Sequence, residues 1–296
     1  MAELSRLIPA TASAFAWQTL LAIIFVPLQN EKYYDLGGAA GFVSTSVLAL
    51  YYDSLKRKLI DGVPGPLPAL SSFAPRQLLL TAAVALWAAR IGTFLALRTH
   101  RTNGDKRFDN VRNNPKVFTI FWMIQGVWVW LCGLPIYAVN SLPPQNQPVL
   151  GPGDYAALAL FAVSFLTEAV ADAQKAAWRS AKDAKRHNEK FITGGLWSLS
   201  RHPNYVGEVG VWTALWALAS GGLLTPSFPI EIAFTALSPL FSWLLVRMLS
   251  GVPFLEQVGD KHFEGDKKWE AYKETTPIFW PWGGKEDTRG GALSLF

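Results

Sequence analysis

Seven stretches of the chain are apolar over enough consecutive residues to cross a lipid bilayer. A membrane-spanning helix needs about 17 to 25 predominantly apolar residues. Such windows occur at 11–28, 36–52, 77–97, 117–139, 155–173, 206–223 and 230–250. The second window is the weakest of the seven. The pattern therefore predicts an all-α, polytopic integral membrane protein with about seven transmembrane helices.

The composition agrees with a membrane protein, since 50% of the residues are hydrophobic and only 17% are charged. The first window has no basic segment before it beyond Arg6 and lacks a convincing cleavage site, so we expect a retained helix rather than a signal peptide. Cys132 is the one cysteine and lies in the apolar run VWVWLCGLP. It is therefore expected to pack in the core, and it can form neither an intramolecular disulfide nor a thiolate metal site.

Two loops rich in proline and glycine divide the chain. DGVPGPLPALSSFAP precedes the third window, and SLPPQNQPVLGPGD precedes the fifth. The first of them suggests an N-terminal two-helix membrane segment over 1–75, followed by the main membrane domain over 76–282. The Gly-rich end, 283–296, is expected to be a flexible tail.

Basic residues concentrate in three segments, with six Lys and Arg in 98–116, seven in 174–205 and six after residue 250. By the positive-inside rule these segments face the cytoplasm, which places the C-terminus there and the N-terminus outside. The basic tract within 52–76 does not fit this topology. Such clusters commonly meet anionic lipid headgroups, and no nucleic-acid-binding module is visible, so membrane lipids are expected partners and nucleic acid is not.

The segment SRHPNYVGE, residues 200–208, crowds polar side chains before the sixth window. Pro203 suits the first turn of a helix, whose free N–H groups and dipole form an anion site that Arg201 would strengthen. Asn204 and Glu208 lie four residues apart and share one helix face. A carboxyl group entering a bilayer favours a functional role, although a capped helix start is the simpler alternative.

A second polar cluster lies at the end of the fifth window, in LTEAVADAQKAAWR. Glu168 and Asp172 are four residues apart, and Arg179 follows seven residues later, so all three fall near one helical face. They could form an intrahelical salt bridge and nothing more. They could equally hold the ribose and phosphate groups of a nucleotide.

Two further segments carry charge next to the membrane. ARIGTFLALRTHRTNGDKRFDN contains Arg90, Arg98, Arg101, Asp105, Arg107 and Asp109, and its arginines could simply reach lipid headgroups. DKKWEAYKETTPIFWPW mixes aromatic residues with lysines, which is also typical of a lipid-facing aromatic belt. The common nucleotide-binding glycine motifs, the HExxH motif and histidine pairs at metal-ligand spacing do not occur, so no metal site is predicted.

Three motifs in order carry a resemblance to a known family: EAVADAQKAAWR, GGLWSLSRHPNYVGEVGVW and YKETTPIFWPW. Together they resemble the steroid 5-alpha-reductase C-terminal domain superfamily, and within it a broad, poorly characterised branch of bacterial and fungal membrane proteins. The resemblance covers about residues 80 to 282. The RHPxYxG core also looks similar to that of isoprenylcysteine carboxyl methyltransferases.

The resemblance implies NADPH as cofactor and a hydrophobic, lipid-like substrate whose activated carbon–carbon double bond is reduced. Asp172 and Arg179 match cofactor-contacting positions at the same spacing, Asn204 matches an asparagine near the nicotinamide, and Glu208 matches the glutamate one turn later. Tyr272 matches a family tyrosine. The positions expected to bind the cofactor are Asp172, Arg179, Arg201, His202, Asn204, Tyr205, Glu208 and Tyr272.

The catalytic residues stay unassigned. In the steroid reductases, a glutamate and a tyrosine on the early helices polarise the substrate ketone, but residues 1–75 do not align with that pattern. A separate difference concerns the cofactor phosphates, because Arg201 and His202 replace small residues of those enzymes. Glu31, Tyr51 and Tyr52 are the available early candidates.

These observations predict a membrane oxidoreductase that uses NADPH to reduce a double bond in a sterol, enone or isoprenoid-like substrate. An S-adenosylmethionine-dependent methyltransferase acting on a lipid or prenyl-cysteine is the enzymatic alternative, although Glu256 and Glu264 are separated rather than paired. A non-catalytic membrane scaffold is the third. We expect the endoplasmic reticulum membrane in a eukaryote or the inner membrane in a bacterium.

Overall fold

A computed structural model describes residues 4–102, 104–223 and 229–283, and within these residues all regular structure is helical. The predicted all-α class is therefore confirmed. Ten α-helices are found in this part of the chain: α1 (Ile8–Phe25), α2 (Tyr34–Leu59), α3 (Pro75–Arg101), α4 (Pro115–Asn140), α5 (Pro152–Asp183), α6 (Pro203–Leu223), α7 (Pro229–Thr235), α8 (Leu237–Leu244), α9 (Val252–His262) and α10 (Lys267–Thr275).

Proline defines where many of these helices begin. The helices α3, α4, α5, α6 and α7 each have proline as their first residue. Proline is favoured there because its fixed φ suits a helix and the missing N–H would have no intrahelical partner. At α4 the Asn114 side chain caps the helix by accepting a hydrogen bond from the Val117 N–H at 3.3 Å.

Five helical stretches in the described residues are long and apolar enough to cross a membrane: Ser5–Phe25, Pro75–Arg101, Pro115–Asn140, Pro152–Asp183 and Ile232–His262. They indicate an integral membrane protein. The helices α2 and α6, which cover the second and sixth predicted windows, are not among these stretches. The predicted count of seven spans is thus not confirmed.

The last predicted window, 230–250, differs most from the helix found there. The helical stretch runs on to His262 and passes through a π-helical turn, Leu245–Leu249. π-turns inside helices often lie at functional sites. Residues 224–228 and those from 284 onward lie outside the described residues, and the latter make up most of the predicted flexible tail.

The chain divides into two compact units, Met1–Ala156 with Leu215–Ser238 and Ala157–Ala214 with Pro239–Phe296. In the first unit α2 packs against α1, α3 and α4, and α1 also packs against α4. Tyr34, Phe108, Phe118 and Trp122 fill part of its core with interlocking rings. Cys132 is buried there, as predicted from its apolar surroundings.

Arg76 explains part of the misfit in the predicted topology. Arg76 belongs to the basic tract within 52–76, but its side chain is only 1% exposed and is paired with Asp154. Its Nη1 also donates to the Pro148 carbonyl at 2.9 Å. A neutralised, buried guanidinium is a structural group rather than a topology signal, whereas Lys56, Arg57 and Lys58 remain in the last turn of α2.

The second unit is built around a smaller apolar cluster of Val209, Val246, Val252, Ile278 and Phe279. These residues come from the first half of α6, the π-helical turn, α9 and the segment that follows α10. The start of α6 is thereby placed beside the C-terminal segment of the chain. This unit contains all eight residues predicted to bind a cofactor.

Candidate functional site

Hydrogen bonds from backbone N–H groups hold the polar segment at the start of α6 in a defined conformation. Pro203 is the first residue of the helix, as predicted. The Ser200 hydroxyl accepts a hydrogen bond from the His202 N–H at 3.1 Å, and the His202 carbonyl accepts from the N–H of Tyr205 at 3.1 Å. The Arg201 N–H donates to the Pro277 carbonyl at 2.9 Å. The helix start is therefore fixed to the segment that follows α10.

Glu256 on α9 joins the two basic side chains of this segment. One carboxylate oxygen accepts from Arg201 Nη1 at 2.5 Å, and the other lies 2.8 Å from His202 Nε2. The Arg201 and His202 side chains are 2% and 6% exposed, and that of Glu256 is 12% exposed. Charges removed from water to this degree require such partners. Arg201, His202 and Glu256 together form what we call the α6-start triad.

His202 is the unusual member of the α6-start triad. Burial lowers the pKa of its imidazole, while the hydrogen bond and negative charge of Glu256 oppose that shift. The ring stacks on Tyr205 with an interplanar angle of 14°. Its second ring nitrogen, Nδ1, is buried and has no hydrogen-bond partner among the described residues. A buried nitrogen in this state is available to a ligand or a water molecule.

The second polar cluster, Glu168, Asp172 and Arg179, lies on α5, and its members differ in burial. The side chains of Glu168 and Asp172 are buried, at 3% and 6% exposure, whereas Arg179, two turns further along, is exposed. Between them, Lys175 Nζ lies 4.5 Å above the centre of the Trp197 ring. The shared helical face therefore places two carboxylates inside the unit and leaves the predicted arginine at the surface.

Helices α5 and α6 approach each other closely beside this cluster. A Cβ atom on Gly207 would lie 2.6 Å from the backbone nitrogen of Glu168 and 2.8 Å from the carbonyl oxygen of Ser164. Real Cβ contacts are never that short, so only glycine fits at this crossing. The contact brings the Asn204–Glu208 turn of α6 alongside the buried acidic residues of α5. Asn204 and Glu208 are themselves half-buried.

Tyr272 has a structural hydrogen bond. Its hydroxyl donates to the Trp197 carbonyl at 2.6 Å, and the Trp197 indole donates to the Ala171 carbonyl at 3.1 Å. Burial raises the pKa of the Tyr272 phenol, which keeps it neutral. These two bonds connect α10, the turn before α6 and α5. Tyr272 was predicted to bind the cofactor, and the structure shows its hydroxyl bonded to the protein backbone.

The family assignment rests on most of the chain. Residues 21–276 match the family described as "Protein of unknown function (DUF1295)". The chain belongs to this family. No curated protein matches it, and no solved structure does either.

In this DUF1295 member the early candidates lie in the first unit. Glu31 is buried and accepts hydrogen bonds from Arg112 Nη1 at 3.2 Å and from the Asp105 N–H at 3.3 Å. Tyr51 packs edge-on against Phe73 and, with Trp17 and other apolar residues, lines a groove of about 800 Å³. Glu31 therefore has a structural role in anchoring the loop after α3.

The charged segment after α3 forms a network in this family member. Arg107 donates to Asp35 at 2.8 Å and to Asp105 at 2.6 Å, and Arg98 lies 3.9 Å from Asp35. Burial favours a raised pKa for Asp105, but the hydrogen bonds from Arg107 outweigh it and lower that pKa. Arg98 and Arg107 are thus paired with carboxylates of the protein.

Sequence reasoning missed Glu256 as a member of the site. It lies 55 residues after Arg201, and no spacing rule connects the two positions. The available signal was chemical, because two adjacent basic residues at a helix start near a bilayer need an acidic partner.

Proposed function

We propose that this protein is a membrane oxidoreductase that uses NADPH to reduce a carbon–carbon double bond of a hydrophobic substrate, such as a sterol, an enone or an isoprenoid. The observation that carries the proposal is the buried α6-start triad, which places a guanidinium, an imidazole and a carboxylate at the start of a largely apolar helix. Ionisable groups in apolar surroundings cost free energy, so their presence favours a functional role. The motifs shared with the steroid 5-alpha-reductase superfamily support the same reaction.

The side chains of the second unit have the chemistry that NADPH requires. The exposed guanidinium of Arg179 suits phosphate oxygens, and the carboxylate of Asp172 suits ribose hydroxyls. Asn204 and Glu208 offer amide and carboxylate groups to a carboxamide. Bound NADPH would supply the hydride. The protein's part is to orient the cofactor and to exclude water, which the neighbouring apolar residues of α6 and α9 favour.

The remaining predicted positions divide into direct and supporting roles. Arg201 is held by Glu256 at the α6 start, where the helix dipole favours phosphate. Tyr205 contributes its ring, which stacks on His202. Tyr272 supports the site through its bond to the Trp197 carbonyl. An ion pair, ring stacking and backbone anchoring would thus cooperate in one cofactor site.

The membrane setting supports a lipid-like substrate. Five helical stretches within the described residues are apolar enough to lie in a bilayer, so a substrate dissolved in lipid would have direct access to the protein. We infer that the C-terminal segment lies on the cytoplasmic side, where NADPH is present, because most basic residues outside the spans belong to that side. The membrane would be the endoplasmic reticulum in a eukaryote and the inner membrane in a bacterium.

Thermal unfolding of the detergent-purified protein with NADPH, NADH and S-adenosylmethionine tests the cofactor. A ligand that binds only the folded state raises its stability by mass action, about 2.7 kcal/mol at 100 times Kd. We expect NADPH to raise the unfolding temperature more than NADH does, since the arginines suit the additional phosphate. A shift with S-adenosylmethionine alone would favour a methyltransferase, and no shift with any of the three would favour a scaffold.

A further inference from the structure

The second nitrogen of the His202 ring is held in place without a protein partner. The first nitrogen, Nε2, is bonded to Glu256 at 2.8 Å, and the ring stacks on Tyr205. Glu256 is itself fixed, because its other oxygen accepts from Arg201. The Nδ1 atom is buried and unpartnered among the described residues, and the whole side chain is 6% exposed. The orientation of the ring is therefore fixed through Nε2, and Nδ1 is left without a protein hydrogen-bond partner among the described residues.

The carboxylate decides which nitrogen carries the proton. An ionised carboxylate can only accept hydrogen bonds, so Nε2 must be the N–H in contact with Glu256. In the neutral ring Nδ1 is then a lone pair, and in the charged ring it is a second N–H. This arrangement, with a carboxylate that orients a histidine whose opposite nitrogen faces the reactant, is how enzymes position a group for proton transfer.

We propose that His202 is the proton donor of the reduction, with Glu256 and Arg201 as positioning residues. This inference rests on the proposed function. Hydride addition to one carbon of the double bond leaves an electron pair on the other carbon, or on a conjugated oxygen. The Nδ1–H bond of the His202 imidazolium breaks, the proton forms the new bond there, and the electron pair of that N–H bond stays on Nδ1. The ring becomes neutral, keeps Nε2–H on Glu256, and regains its proton from water.

Three charged groups act on His202 from the elements around it. Glu256 on α9 favours the imidazolium, whereas Lys175 on α5 and the neighbouring Arg201 disfavour it. Burial also disfavours the charged ring, so only part of the protein carries the imidazolium at neutral pH. Turnover should therefore rise as the pH falls toward the pKa of His202, and it should fall by about tenfold per pH unit well above that pKa.

The test combines NADPH binding with hydride transfer. The purified protein is incubated with NADPH carrying deuterium at C4 and with a total membrane lipid extract, and label in the lipid fraction is measured by mass spectrometry. In His202→Gln we expect transfer to fall by about 10²- to 10⁴-fold, the usual share of a general acid, while NADPH affinity changes much less. His262→Gln replaces an exposed histidine on α9 and is the matched control, for which no change is expected.

Glu256→Gln keeps the size of the side chain and provides a second variant in case His202→Gln does not fold. It should move the pH dependence of label transfer to lower pH, and ¹⁵N spectra of labelled histidine should show His202 losing its preference for the Nε2–H form. NADPH binding with normal label transfer in His202→Gln would overturn the proton-donor role alone. A parent protein that binds no NADPH would overturn the proposed function and this role with it.

Discussion

Arg76 and Asp154 form a buried ion pair between the first turns of α3 and α5. Arg76 Nη2 lies 2.7 Å from Asp154 Oδ2, and the two side chains are 1% and 6% exposed. The same carboxylate accepts a hydrogen bond from the Gly151 N–H at 2.8 Å. Because both ions are removed from water, loss of one partner leaves an uncompensated charge in the protein. The pair therefore connects the N-terminal ends of α3 and α5.

Replacement of Arg76 by methionine should destabilise the first unit strongly. Leaving Asp154 buried and unpaired is expected to lower the free energy of unfolding by about 3 to 5 kcal/mol. The double variant Arg76→Met/Asp154→Leu should recover much of this loss, because it removes both charges. Arg57→Met, at an exposed arginine in the last turn of α2, is the control. Equal stability of Arg76→Met and the parent in thermal unfolding would show that the pair has no such role.

The close approach of α5 and α6 gives a second prediction. Gly207→Ala places a methyl group against the backbone of Glu168, which cannot rotate away. We expect a loss of about 1 to 3 kcal/mol from this overpacking, even though alanine is the better helix former by about 1 kcal/mol. Gly194→Ala is the matched control, since nothing lies within 4 Å of the added Cβ and its φ is −97°. The comparison requires only chemical denaturation of the two variants.

The stability of the protein should depend on pH through His202. Its pKa in the folded state lies below the ordinary value of about 6.5, chiefly because of burial. The unfolded chain then binds more protons than the folded one as the pH falls from about 6.5 toward the lower folded pKa, so stability is lost across that window and is fully present above it. Histidine titrates over roughly pH 5 to 7.5. In that range His202→Gln should flatten the dependence of the unfolding temperature on pH. The control is His262→Gln, which should keep the slope of the parent. An unchanged slope in His202→Gln would contradict the lowered pKa.

Several features of the site were predictable from the sequence because their causes are local. Pro203 was placed at the first position of α6 because proline has a fixed φ and no N–H, and the helix begins there. The i, i+4 spacing of Glu168 and Asp172 predicted a common face, and both are buried. Local rules of backbone geometry and helical periodicity were enough for these statements.

Other features depend on partners far away in the chain. The contact of Glu256 with Arg201 joins positions 55 residues apart, and that of Arg76 with Asp154 joins positions 78 apart. Arg179 shares a helical face with Asp172, but α5 continues to Asp183 and its last turns are largely exposed. Periodicity tells which side a residue is on, and only packing tells whether anything covers that side.

Arg179 provides a test of the nucleotide assignment. If its guanidinium binds a phosphate, Arg179→Ala should weaken NADPH binding by about 1.5 to 3 kcal/mol, the scale of a hydrogen bond to a charged group. Because the residue is exposed, the variant should fold and unfold like the parent. Arg186→Ala changes a second exposed arginine in the loop after α5 and should leave binding unaltered. Equal NADPH affinity of Arg179→Ala and the parent would remove Arg179 from the site.

The proposed reaction can be followed by the transfer of hydride from NADPH to a lipid. Purified protein is given a membrane lipid extract together with either NADPH deuterated at C4 or S-adenosylmethionine with a deuterated methyl group, and the lipids are analysed by mass spectrometry. We expect deuterium from NADPH to enter a lipid that has gained two hydrogens, and none to enter from S-adenosylmethionine. Label from the methyl group alone, or no label from either cofactor, would contradict the proposed reaction.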